Sequence, residues 1–175
     1  MAKSSKEQIY EDELKVIAEL QKNGKESIDA IAKKCGCSRQ KVWRIINRLE
    51  ENHTIWGYAS IVDDEKINMN RYVMLIKKSV APVDNAIEKI VKLTMQRKGE
   101  EIGVNIDYSL YLHGEYDWML IFTAKDIKHA KIFCEILTSQ YKDVIKDVKL
   151  LETLFTVQKA GIVNPEVEKL KEYCP

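Results

Sequence analysis

The sequence predicts an α+β chain in two parts, a helical first third and a mixed sheet-and-helix remainder. Three observations predict it. The first fifty residues place apolar side chains at helical spacing behind serine caps. From Arg71 onward, β-prone runs alternate with helical stretches in the order β-α-β-β-α-β. The charge is unevenly spread in a chain of net charge +1. Ala30 to Leu49 holds no acid and six basic residues, whereas Ala59 to Lys159 holds fifteen of each sign.

In the first helix, over residues 12–22, Val16, Ile17 and Leu20 share a face, and Asp12 and Glu13 suit the positive end of the helix dipole. Asn23-Gly24-Lys25 ends it, with Gly24 free to adopt a positive φ. Ser27 caps a second helix with Ile28, Ile31 and Ala32 inward. Cys35-Gly36-Cys37 makes a tight turn, and Ser38 caps a third helix over Arg39–Glu51. There Val42, Ile45, Ile46 and Leu49 form the dry stripe, at i, i+3, i+4 and i+7. Gln40, Arg44 and Asn47 lie opposite it, Trp43 on one flank, and Lys41 and Arg48 on the other. Arg, Gln and Asn make paired hydrogen bonds to guanine and adenine edges in the major groove. Two short helices, a glycine turn and a basic third helix make a helix-turn-helix. Thr54–Tyr58 and Ala59–Val62, joined around Gly57, read as a small wing packed by Trp56.

In the remainder, Arg71–Lys78 reads as a strand, and Pro82 opens a helix with Val83, Ile87, Ile90 and Val91 inward. Val104–His113 is a strand with Tyr108, Leu110 and Leu112 on one face, Gly114-Glu115 a turn, and Tyr116–Thr123 the returning strand. Asp126 caps a helix with Ile127, Ala130, Cys134, Leu137 and Tyr141 inward, and Lys146–Gln158 is the last strand. This order is the ferredoxin-like βαββαβ arrangement. Its helices cover one sheet face. Tyr72, Met74 and Leu154 are assigned to the other, which a second copy of the same sheet would cover. Pro165 opens a short helix in the tail.

Composition is that of an ordinary globular chain, 45% hydrophobic and 31% charged over 175 residues. The apolar runs Tyr72–Ile76 and Trp118–Phe122 fall far short of the roughly 20 residues that cross a bilayer. Met1 to Asp12 lacks the apolar core of a signal peptide. A cytoplasmic protein with no membrane partner is expected. Cys35 and Cys37 read as small core residues rather than a metal or redox pair, and Cys174 as an exposed thiol. His53 and His113 have no partner at ligand spacing. No phosphate loop, nucleophile elbow or His-Glu-x-x-His motif occurs, so no catalytic residue, metal or cofactor is expected.

The segments VIAELQKNGKES, CGCSRQKVWRIINRLEENHTIWGY and GEYDWMLIF followed by AKDIKHAKIF resemble the Lrp/AsnC family of transcriptional regulators, from about Asp12 to Gly161. The resemblance implies a winged helix-turn-helix DNA-binding domain over 1–62 and a linker over 63–70. It implies an αβ ligand-sensing and oligomerisation (RAM) domain over 71–161 and a tail over 162–175. It further implies double-stranded DNA as partner, homodimers that assemble into octamers in relatives, and an effector, commonly an amino acid, bound between dimers. Arg39, Gln40, Lys41, Trp43, Arg44, Asn47 and Arg48 are the DNA-contact candidates: Gln40, Trp43 and Arg44 for base edges, and Arg39, Lys41 and Arg48 for phosphates. Gly114, Glu115, Tyr116 and Asp117 are the effector candidates. The chain departs from the family in a long Thr94–Tyr108 segment, in Lys66-Ile67-Asn68 where a glycine is usual, and in Trp43 and Trp56. The alternatives are an architectural DNA-binding protein without an effector, and a siroheme decarboxylase-like enzyme on the same plan. For the latter the second domain offers only His113, His129, Arg71 and Arg97.

Overall fold

The computed structural model of the chain describes residues 6–80 and 84–173. Its contacts divide it into two units: residues up to Ile61 together with Val157–Lys169, and Val62–Thr156 together with the residues from Leu170 on.

The first unit holds helices α1 (Lys6–Lys22), α2 (Ile28–Cys35) and α3 (Arg39–Glu51). The serine caps form as the sequence requires. Ser27 Oγ accepts from the Ala30 N–H and Ser38 Oγ from the Lys41 N–H, both at 3.2 Å. Gly36 ends α2 in the left-handed conformation at φ 65°. Val16, Ile31, Ala32, Val42, Ile45 and Leu49 form the core, with Cys35 and Cys37 packed at its edge.

Three expectations for this unit are corrected. Helix α1 extends back to Lys6, so Asp12 lies mid-helix, on the buried face one turn before Val16. Gly24 has no positive φ, and a Cβ there would make only ordinary contact with the Tyr58 ring at 3.4 Å. No strand forms over 54–62. The Ile55 N–H bonds back to the Leu49 carbonyl at 2.9 Å and Tyr58 Oη donates to Glu50 at 2.9 Å, so the segment lies along the helices instead of pairing with itself. Trp56 is accordingly 95% exposed rather than packed.

The second unit is a four-stranded antiparallel sheet in the order β2-β3-β1-β4, from β1 (Asn70–Lys78), β2 (Asn105–Tyr111), β3 (Trp118–Ala124) and β4 (Ile145–Glu152). Helices α4 (Asp84–Val91), α5 (Thr94–Glu101) and α6 (Ile127–Gln140) complete it. Asp126 caps α6 through the His129 N–H at 2.9 Å. The expected opening of α4 at Pro82 and Val83, and Cys174, lie outside the described residues.

The α5 helix fills the long segment after α4. It reads poorly as a helix because its only buried residues are Met95 and Gly99. Gly99 is there for contact: a Cβ would come within 3.1 Å of the Val104 carbonyl and 3.3 Å of the Phe133 ring. On α4, Ala86 and Ile90 face the core, whereas Ile87 and Val91 are exposed. On α6, Phe133 joins Ala130, Leu137 and Tyr141 in the core, and Ile127 is exposed. Strand β4 ends at Glu152, where the Thr153 N–H caps the pairing on the Arg71 carbonyl.

The sheet faces are the reverse of the expected phase. Tyr72, Met74, Ile76, Leu120 and Phe122 are fully or almost fully buried in the main core. The face opposite the core carries Val73 and Leu75 from β1, their partners Ile121 and Met119 from β3, Tyr108 and Leu110 from β2, and Leu151 from β4. RYVMLIKK is apolar on both sides, so alternation alone does not fix which side is covered, and a one-residue slip moves every side chain across.

Asn68 supplies a left-handed turn at φ 56° ahead of β1. The turn places Asp64 on Arg71, whose guanidinium also donates to Asp107 in the β2 bulge. In the tail, β5 (Gln158–Lys159) pairs with β6 (Ile162–Val163), followed by a 3-10 turn over Val167–Glu172.

Candidate nucleic-acid interface

The outer surface of α3 sorts its polar residues into two sets. Gln40, Trp43, Arg44 and Asn47 fall at i, i+3, i+4 and i+7 and so form one stripe. Gln40, Trp43 and Arg44 are exposed and Asn47 is half-buried. Arg44 forms no ion pair among the described residues.

The other three cations of α3 are all engaged. Lys41 pairs with Asp12, Arg48 Nη2 meets Glu13 at 2.6 Å, and Arg39 Nη1 meets Asp29 at 3.3 Å. Asp12 is 4% exposed, and the hydrogen bond from Lys41 holds its carboxyl below the usual range while raising the Lys41 ammonium. The sequence reading gave Asp12 and Glu13 to the helix dipole and did not pair them, or Asp29, with α3. Asp12 had a readable signal, because it precedes Val16 and Leu20 at i, i+4, i+8 on an apolar stripe. The consequence is an α3 anchored to α1 and α2 by charge on its flanks, with Arg44 projecting between them.

The turn Gly114–Asp117 lies in the second unit. The Leu112 N–H bonds the Asp117 carbonyl at 2.7 Å and the Asp117 N–H bonds the Ile76 carbonyl at 2.9 Å. The Asp117 carboxylate accepts from the Lys78 N–H at 2.9 Å and lies 3.9 Å from its ammonium. Lys149 sits 5.5 Å over the Tyr116 ring. A Cβ on Gly114 would meet nothing within 4 Å. Burial pushes the Cys35 thiol up, which makes it less reactive. Among the described residues no group of His, Cys, Asp or Glu could hold a metal, and no helix is long and apolar enough to cross a membrane.

Residues 13–55, nearly all of the three-helix segment, match the family described as winged helix-turn-helix DNA-binding. The three-helix segment is thus similar to a winged helix-turn-helix DNA-binding domain. Over 142 residues the chain is 27% identical to an uncharacterized HTH-type transcriptional regulator of Pyrococcus furiosus, covering 81% of this chain and 86% of the relative. Three solved structures resemble it over most of their length. A transcriptional regulator of Neisseria meningitidis in complex with L-Met has a TM-score of 0.66 at 18% identity, covering 93% of this chain and 97% of that one. An AsnC family transcriptional regulator of Agrobacterium tumefaciens gives 0.66 at 19%, covering 85% and 92%. LrpC of B. subtilis gives 0.59 at 17%, covering 90% and 99%. The fold as a whole is therefore that of the Lrp/AsnC regulators.

Proposed function

We propose that this chain is a sequence-specific transcriptional regulator, not an enzyme, that reads duplex DNA with the outer stripe of α3. The reading assigns DNA binding to 1–62, linkage to 63–70, and sensing and oligomerisation to 71–161. The observation that carries it is Arg44, exposed among Gln40, Trp43 and Asn47 while Arg39, Lys41 and Arg48 are paired to acids. Arg44 is free to make a bidentate contact to a guanine edge, with Gln40 and Trp43 beside it. Arg39, Lys41 and Arg48 border the stripe where phosphates run, and each must exchange or share its acid to bind one.

The test is selection of preferred duplexes from a random pool, followed by variants. Arg44→Ala should lose about 1–3 kcal/mol of specific binding and relax preference at one base pair per half-site. Lys41→Ala should weaken all sequences alike and lower the salt slope by about one. Full operator affinity in Arg44→Ala would refute the recognition stripe. A pool with no enriched sequence would favour an architectural protein.

The second unit serves dimer formation through its open sheet face and binding of an effector, an amino acid, at Gly114, Glu115, Tyr116 and Asp117, where copies meet. The L-Met complex of the Neisseria regulator and the open space over Gly114 support this. An effector amine must share Asp117 with the Lys78 N–H. A thermal-shift screen of the amino acids should give a hit whose increment disappears in Asp117→Ala. An undiminished increment would move the pocket elsewhere.

A further inference from the structure

The outer stripe of α3 holds one side chain that its polar neighbours do not account for. Trp43 is 53% exposed and is the one large apolar side chain of α3 in that state. Its companions on the stripe are Gln40, Arg44 and Asn47, so no second apolar residue of the helix extends the indole into a patch. Val42 and Ile45, on either side of it in sequence, are 0% and 4% exposed, which fixes the backbone from which the indole projects. Lys41 with Asp12 and Arg48 with Glu13 tie the same helix to α1 before and after this position. The indole is therefore held in place by an anchored helix.

A lone indole in a polar, cationic stripe is a poor match for a protein surface, whose docking patches are contiguous and apolar at their centre. It calls for a partner that is anionic and hydrogen-bonding almost throughout and apolar at one point. The major groove of duplex DNA has that composition. Its base edges present donors and acceptors, and the one apolar group they carry is the C5 methyl of thymine. Arg44, the next residue, forms no ion pair among the described residues and suits the O6 and N7 acceptors of guanine. Successive residues start about 3.8 Å apart and base pairs stack about 3.4 Å apart, so the two side chains match neighbouring base pairs.

We propose, resting on the reading of α3 as the recognition helix, that Trp43 reads thymine: its indole covers the C5 methyl on a base pair beside the guanine that Arg44 contacts. The contact dries apolar surface on both partners, and cytosine, which has no methyl, leaves the indole facing water.

The experiment uses the full chain and the duplex it selects from a random pool. Each guanine is replaced in turn by 7-deazaguanine, which lacks the N7 acceptor, and each thymine by deoxyuridine, which lacks only the methyl. The guanine whose replacement no longer matters in Arg44→Ala marks the Arg44 contact. On a base pair beside it, deoxyuridine should weaken wild-type binding about three- to ten-fold, the scale of one buried methyl group. In Trp43→Ala the same replacement should change nothing. Both chains are compared on the same pair of duplexes, so any general loss in the variant and any change in the duplex itself cancel. Tolerance of deoxyuridine at every thymine by wild type would overturn the assignment, and that arm needs no variant. So would a sensitivity that persists undiminished in Trp43→Ala. Either result leaves Arg44 as the reader of guanine. An Arg44→Ala chain that binds the selected duplex as tightly as wild type would instead overturn the reading of α3, and the thymine contact with it.

Discussion

The outer stripe of α3 and the open face of the β-sheet are both exposed, and they are built from opposite materials. The stripe offers Gln40, Arg44 and Asn47 around a single indole. The sheet face offers Val73, Leu75, Met119, Ile121, Leu110 and Leu151, with Arg71 already neutralised at its border by Asp64 and Asp107. A polar, positively charged stripe suits a wet, salt-sensitive contact with a polyanion. A contiguous aliphatic face suits burial against another apolar surface, which salt barely affects. The two faces should therefore fail differently under the same perturbation.

The largest effect is expected at the sheet. Ile121→Asp puts a carboxylate on a central strand in the middle of the aliphatic face. If that face is the dimer contact, an unpaired charge buried there costs about 3–5 kcal/mol, more than a hundred-fold in dimerisation. Sedimentation should show a monomer at micromolar concentration whose circular dichroism is unchanged. Binding to a paired operator should fall, while binding to an isolated half-site stays the same. A folded variant that remains dimeric would remove the sheet from the interface. Raising salt from 50 to 200 mM should do the opposite, weakening DNA binding steeply and leaving the dimer intact.

How much was legible in the sequence differs between the same regions. In the helix-turn-helix the caps Ser27 and Ser38, the Gly36 turn and the stripe Val42, Ile45, Leu49 are local signals, fixed within one turn of helix, and they fold as read. The succession of strands along the chain and the Asp126 cap of α6 were legible for the same reason. The sheet phase was not, because Arg71 to Lys78 is apolar on both sides and only the packing of α4, α5 and α6 decides which side is dry. The α5 helix was missed because a glycine contact, Gly99 on Val104, replaces the apolar stripe that would announce it. The pairing of Lys41 with Asp12 spans 29 residues, and no local pattern encodes it. That pairing decides how much positive charge α3 presents, so part of the interface was invisible in its own segment.

The smallest predicted effect tests that pairing, and its sign differs between fold and function. The Lys41 hydrogen bond lowers the Asp12 pKa in the folded chain. A carboxyl depressed in this way stabilises the fold above its unfolded pKa of about 3.9, and loses that contribution as pH falls through the lower folded value. The contribution is therefore whole at pH 7 and fades only below about pH 4. Asp12→Asn should cost on the order of 1 kcal/mol at pH 7, the scale of a hydrogen bond between charged groups partly open to water. The helical unit, followed through the Trp43 indole, should melt several degrees lower than wild type at pH 7, and the gap should close toward pH 3. Binding should move the other way. With Asp12 neutral, Lys41 no longer has to leave a carboxylate to reach a phosphate. Non-specific DNA affinity should rise. An Asp12→Asn chain that loses stability equally at pH 3 and pH 7 would show that the ionised pair is not the source. One that gains no DNA affinity would show that Lys41 serves the fold alone.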